Sequence, residues 1–443
     1  MERLESEIAE WRAFVTQGPA GRDVEELEDH LRDQVTDLTT AGLDEDEAFL
    51  IAVKRIGGID ELSAEFAREH SGRLWRQLGL SSRADQSEPD SRWPEMLMFA
   101  VAAAVTIQIV RLISGFPDEW WLVRNLGLLV VPFLAGFFAR RRQLSLRTTL
   151  LTIAPFAVVG LVINLYPYTE GGSTEILVAA HLPVLAWFLV AYPYMGGHFR
   201  SHEGRMDFVR FTGEWFIYYV LIALGGGVLM ALTALILEPT GVSDPEVILD
   251  WVMPSGAAGA VIVAAWLVES KQRVVENMAP VLTMIFTPLF AVMLAGAAVV
   301  YATTGFGGAF DRELLGLFDA LMVVVLGLVL YGISARDTSA PPGWMDRIQL
   351  VAVVSALVLD VVVLGAMIAR IGELGFTPNR TAALGLNILL LVSLAGTAWL
   401  SIRFLTGNGT FHRLERWQTS YLPVFALWVA TVVVILPPLF AFT

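Results

Sequence analysis

The chain has 443 residues and no cysteine; 55% are hydrophobic, 17% are charged, and the net charge at pH 7 is -14. The missing cysteines exclude disulfides, thiolate metal sites and cysteine nucleophiles together. The charge is uneven, because residues 1–92 hold 22 Asp and Glu against 11 Lys and Arg, a balance that argues against nucleic acid and against adhesion to anionic lipid.

The first segment reads as four short amphipathic helices. Leu4, Ile8, Trp11 and Val15 recur at three- and four-residue spacing, and Leu27, Leu31, Val35 and Leu38 repeat the pattern before Gly42. Asp44 with Glu47 three residues on predicts a capped start for a third helix, whose stripe is Phe49, Ala52, Val53 and Ile56. A fourth helix is expected from Ile59 to about Leu78, and the polar string from Ser81 to Arg92 reads as a linker. The expected organisation is therefore a helical head over 1–80, a linker over 81–92 and a membrane domain over 93–443. Met1 to Glu10 lacks the basic start and apolar centre of a secretory signal, which predicts a head on the cytoplasmic side.

The string EELEDHLRDQVTDLTTAGLDEDEAFLIAVKRIGGIDELSAEF, residues 25–66, combines that leucine spacing with a Gly-Leu followed by acids and Ala-Phe, then an Arg-Ile-Gly-Gly turn. It resembles the permease prefix domain, a small helical module at the cytoplasmic N-terminus of various bacterial membrane proteins, including some exporter-type permeases. GFTPNR at Gly375 to Arg380 and LERWQTSYLPVFALW at Leu414 to Trp428 resemble segments of an uncharacterised family of bacterial multi-pass proteins that often bear this prefix. The resemblances imply a bacterial inner-membrane protein and carry no activity.

From Trp93 onward the chain is a series of apolar blocks; Thr148 to Tyr166 and Trp215 to Leu237 contain no charge at all. About twenty apolar residues in helix cross the hydrocarbon core, and the blocks lack the two-residue alternation of a membrane barrel. The expected fold is an all-α polytopic bundle of eleven spans, over 93–114, 119–139, 148–166, 176–195, 214–237, 251–268, 277–301, 314–333, 348–369, 381–402 and 417–440. With the head inside, internal loops hold 14 basic residues and external loops hold Arg124, Arg312, Arg370 and Arg380. That bias obeys the positive-inside rule and predicts an external C-terminus. Pro132, Pro155, Pro183 and Pro288 fall inside spans, and Gly225, Gly226 and Gly227 fall near the centre of the fifth. Broken helices build midplane sites in transporters, whereas small residues more often mark close helix packing, and packing is the preferred reading here.

Ionisable groups inside a span are costly and tend to face a cavity or a partner. Asp319 lies in the outer part of the eighth span and Asp360 deeper in the ninth; Arg111, Asn164, His181 and Asn387 occupy the outer parts of the first, third, fourth and tenth. Their shared leaflet predicts an outward-opening polar pocket with the two carboxylates on its wall, His181 as proton acceptor and Arg111 as counter-charge. The competing reading is a hydrated Asp319, an Asp360 tied to a helix partner and a satisfied interior histidine. GFTPNR reads as a capped turn in which Asn379 or Thr381 starts the tenth helix, and Arg370, Glu373, Asn379 and Arg380 are outer-loop candidates for a gating or ligand role. His198 and His202, four apart, would share one face of a helix as metal ligands do, although solvated loop histidines explain them equally. Arg140, Arg141 and Arg142 read as a topology anchor.

No HExxH, GxSxG or phosphate-binding Gly-Lys loop occurs, so no enzyme or cofactor is expected, and active transport would need an ion gradient or a partner protein. The expected partners are membrane lipids, a small molecule or ion in the pocket, and a cytosolic or membrane protein at residues 1–80. Two readings stand beside transport or binding: a sensor or regulatory subunit signalling through the head, and, last, an intramembrane enzyme.

Overall fold

The computed structural model describes residues 8, 11, 24–40, 43–44, 48–49, 51–53, 93–113, 119–237, 245–270, 278–304 and 312–443 except 337 and 339. The chain divides into two compact units, Met1–Ser91 and Arg92–Thr443. All regular elements among the described residues are helical.

In the first unit, helix Val24–Thr40 presents Leu31 and Val35 to a core shared with Ile8, Trp11, Ala48, Phe49, Ala52 and Val53. The amphipathic spacing thus translates directly into burial: Trp11 and Leu31 are wholly covered, while Leu38 and Leu43 close the edge. The Ala48 amide bonds the Asp44 carbonyl at 2.8 Å, while Glu47, the other half of the expected cap, lies outside the described residues. Leu4, Val15, Ile56, the fourth helix and the linker lie outside the described residues.

The second unit contains eleven helices that are long and apolar enough to cross a membrane. They are Trp93–Ile113, Glu119–Arg141, Leu146–Leu165, Ser173–Tyr194, His202–Leu237, Pro245–Ser270, Met278–Thr304, Arg312–Ala335, Trp344–Leu374, Pro378–Leu405 and Phe411–Val434, hereafter the first to eleventh spans. Two cores organise them. One joins the first six spans around Ile107, Leu134, Phe137, Phe138 and Ile262; the other joins the seventh to eleventh with the start of the fifth around Leu294, Met322, Leu359 and Leu390. A smaller cluster of Ile163, Leu182 and Val433 docks the eleventh span onto the third and fourth.

Ion pairs sort the helix ends into two faces. On one, Arg140 meets Glu95, Arg141 and Arg142 meet Glu269 at 3.2 and 3.0 Å, and Arg336 meets Asp346 at 2.7 Å. Arg205 donates to the Thr419 carbonyl at 3.0 Å and Arg210 to the Ser334 carbonyl at 3.1 Å on the same face. The arginines of the even-to-odd connections therefore gather at one end of the bundle, here the basic face. At the opposite face Arg124 pairs with Glu175, and the Tyr166 hydroxyl donates to the Val434 carbonyl at 2.8 Å. Trp93 and Thr443 consequently lie at opposite ends of the membrane unit.

Three sequence expectations need correction. The fifth span is 36 residues long and starts at His202, not 214, and the ninth is 31 residues long and continues to Leu374; both exceed the roughly 20 residues that a bilayer core requires. The eleventh span ends at Val434, where the Pro437-Pro438 pair removes two amide donors and leaves only the short helix Leu436–Leu439. The helices run unbroken through Pro132, Pro155, Pro183 and Pro288. Among the described residues Gly225, Gly226 and Gly227 mark no close packing, since no atom stands within 4 Å of where their side chains would begin. The close crossings are elsewhere: Gly127 against the Pro183 backbone, Gly213 against Tyr331, Gly385 against Trp428 and Gly396 against Trp417.

Candidate functional site

The ninth and tenth spans form a tight hairpin whose turn is built by GFTPNR. Gly375 takes φ +75°, a conformation that side-chain-bearing residues avoid, and its amide closes the ninth helix on the Ile371 carbonyl at 2.8 Å. The cap of the tenth helix is Thr377, not Asn379 or Thr381: its hydroxyl accepts from the Arg380 amide while Pro378 supplies the first helical residue. The Arg380 guanidinium then donates back to the Leu374 and Gly375 carbonyls at 3.0 and 2.8 Å. Arg380 thus acts as a clasp on the hairpin. Glu373 is exposed and Asn379 half-buried beside it, and Arg370 lies one turn before Leu374 on the ninth helix.

This hairpin places Asp360 and Asn387 inside the second core, both with no exposed surface. The ninth span packs most extensively on the seventh and tenth and less on the eighth, and Asn387 of the tenth reaches the carboxylate of the eighth. Its Nδ2 donates to Asp319 Oδ1 at 2.8 Å and to the Ala383 carbonyl at 2.9 Å. Asp319 is half-buried and within electrostatic reach of Asp360. Among the described residues, neither oxygen of Asp360 and not the Asn387 Oδ1 has a hydrogen-bond partner. Buried carboxylates are ordinarily paired or hydrogen-bonded, so three orphan oxygens together need an explanation. Fourteen residues separate Asp360 from Leu374, about 21 Å of helix.

The other pocket candidates have their contacts elsewhere. Arg111 lies over the Trp251 ring at 5.2 Å. Asn164 exchanges two hydrogen bonds with Asn125, at 3.1 and 2.8 Å, which ties the third span to the second. His181 turns its Nδ1 to the Leu177 carbonyl of its own helix at 2.8 Å. His198 and His202 do not share a helical face, because His198 sits in the turn before the fifth helix, with Nδ1 3.3 Å from the Met195 carbonyl. His202 Nδ1 meets Thr419 Oγ1 at 2.8 Å, and among the described residues no group of three His, Cys, Asp or Glu could hold a metal ion. No family model, curated protein or solved structure matches this chain. The prefix-domain resemblance therefore stays an expectation.

Two polar groupings escaped the sequence reading. Arg124 and Glu175 form a buried ion pair between the second and fourth spans, with the Glu175 Oε2 accepting from the Gly171 amide at 3.0 Å and the Tyr168 ring 4.6 Å under the guanidinium. Burial pushes the Tyr168 phenol up, against the lowering effect of Arg124, so it stays neutral there. The second is a cavity of about 500 Å³ at the basic face, lined among others by Arg142, Tyr194, Arg210, Glu214 and Glu269. Arg142, read from sequence as a topology anchor, lines it, whereas none of the pocket candidates does. Further along the tenth span, Ser393 and Thr397 are buried and Gln418 Nε2 donates to Thr397 Oγ1 at 2.6 Å. The buried Leu390 and Leu394 intervene on the helix between this pair and Asn387.

Proposed function

We propose that the protein is a multi-pass carrier or receptor of the bacterial inner membrane that binds a small molecule or ion at Asp319, Asp360 and Asn387, with the head in the cytoplasm. The single observation behind this reading is the set of buried orphan oxygens: leaving such groups unsatisfied costs about 1–3 kcal/mol each, more when charged, and a ligand with positive charge or hydrogen-bond donors offsets that cost. Asp319, the partly exposed member, is the point of entry from the face opposite the basic one. The regulatory reading draws on a different observation, the separation of Met1–Ser91 as its own compact unit, through which a partner would receive the signal of an occupied site.

The test is thermal unfolding of the full chain in lipid nanodiscs against a panel of salts and small polar molecules. A ligand at a hundred times its Kd stabilises by about 2.7 kcal/mol. Wild type should show such a response to at least one member, and Asp360→Asn, which keeps shape, should lose it while remaining folded. An undiminished response in folded Asp360→Asn removes Asp360 from the site.

A further inference from the structure

We infer that the ligand of this cluster is a monovalent hard cation that exchanges with a proton on the Asp360 carboxyl. The inference rests on the site reading above and narrows it to one chemistry. Every unpartnered atom in the cluster is oxygen: both carboxylate oxygens of Asp360 and the amide oxygen of Asn387, all on side chains with no exposed surface. Asn387 spends its N–H groups on Asp319 and on its own helix. Its amide oxygen is therefore left as an acceptor in the same core as the orphan Asp360 carboxylate, and a group of acceptors without a donor calls for a proton or a bare cation. An anion finds no donor there.

Charge and ligand count select the valence. Two carboxylates and one amide oxygen lie in the cluster, and no third acid or histidine joins them among the described residues. Calcium takes six to eight oxygens and magnesium demands near-octahedral order with retained water, which an apolar core of Leu359, Val363 and Leu390 does not offer. Charge favours a single positive ion, because Asp360 is the wholly buried carboxylate while Asp319 is half-buried and already accepts from Asn387. The charged groups around Asp360 are few on every packed helix: Asp319 acts on it from the eighth span, and the seventh contributes Tyr301, whose ring lies against Phe318 at 5.3 Å. On the tenth, Arg380 is committed to the hairpin turn. On the ninth itself the nearest are Arg370 toward one end, ten residues away, and Asp346 and Arg347 toward the other. Exchange balances simply: the cation enters, the Asp360 O–H bond breaks, and the proton leaves by way of Asp319.

The experiment uses the full chain in nanodiscs titrated with NaCl, KCl and MgCl2, with choline chloride holding ionic strength. Two signals are read: the carboxylic C=O stretch in infrared difference spectra, and protons released into weak buffer. Sodium or potassium should bleach a carboxylic band and release about one proton per chain, and its apparent affinity should fall about tenfold per pH unit below the carboxyl's pKa. Asp360→Asn should abolish the bleach. The wild-type spectra decide the matter even if that variant does not fold. A band unmoved by either salt and by pH identifies a permanently protonated structural carboxyl and overturns the inference, as does displacement by magnesium at no higher concentration than sodium. If some other ligand stabilises wild type but not Asp360→Asn while the band stays unmoved, the site reading survives and only the cation exchange fails.

Discussion

Arg124 and Glu175 are 7% and 1% exposed, and each lies in the first turns of its helix, where charges are usually solvated. Burial changes what their loss would do. Removing one partner strands the other in a low-dielectric core, which costs about 3–5 kcal/mol, whereas replacing both by apolar residues of similar volume is often neutral. Glu175→Gln should therefore lower the unfolding temperature in detergent clearly, and Arg124→Met with Glu175→Leu should regain most of it; equal melting of Glu175→Gln and wild type would show the pair to be solvated. Asp319, Asp360 and Asn387 were legible in sequence because polar letters inside apolar runs stand out. Arg124 and Glu175 were not, since each taken alone is an ordinary helix-end charge. The signal that would have found them is that the second and fourth spans start at the same face, so opposite charges in their first turns are candidates to meet.

At the scale of helices, glycine spacing proved ambiguous for a physical reason. Gly225 to Gly227 and Gly385 look alike as letters, yet the first three face open space while a Cβ on Gly385 would overlap the Trp428 ring. What separates them is the partner helix, which no local pattern encodes. Gly385→Val should overpack the contact of the tenth and eleventh spans, two residues from Asn387, at a cost of about 1–3 kcal/mol. Gly225→Ala, in an exposed helix interior, should instead be neutral or stabilising by about 0.5–1 kcal/mol. Melting temperatures of the two variants measured side by side check this; similar effects would mean that the eleventh span does not seat on Gly385. The number of spans was readable throughout, because hydropathy and length suffice for it. Their ends were not: the fifth helix extends to His202 through Glu203, Arg205 and Asp207, charged residues that hydropathy discards but that continue the helix past the apolar block.

For the whole molecule, the arginines of the even-to-odd connections share a face and tie helix ends together through Glu95, Glu269 and Asp346. They are thus structural bolts as well as the basis of the proposed orientation. The proposed orientation, with those arginines in the cytoplasm and an odd number of crossings, predicts an internal N-terminus and an external C-terminus. Fusions of a cytoplasm-active reporter should accordingly be active at Gly18 and silent at Thr443, with a periplasm-active reporter giving the reverse; activity of the first reporter at both ends would contradict an odd number of crossings. The change from a charged segment to apolar blocks is legible in composition and falls where the chain passes from one compact unit to the next.

The position of Asp360, fourteen residues from one end of its helix and sixteen from the other, also bears on energetics outside binding chemistry. A charge crossing the whole bilayer gains or loses about 2.3 kcal/mol per 100 mV, so one halted at mid-helix feels about half of that. A cation that takes the place of a proton arriving and leaving by the same path moves no net charge, so the proposed exchange at Asp360 should be indifferent to the membrane potential, whereas uptake of a cation without proton release would respond by about sevenfold per 100 mV. The charge balance at a single carboxylate thereby decides whether the site feels the electrical state of the cell.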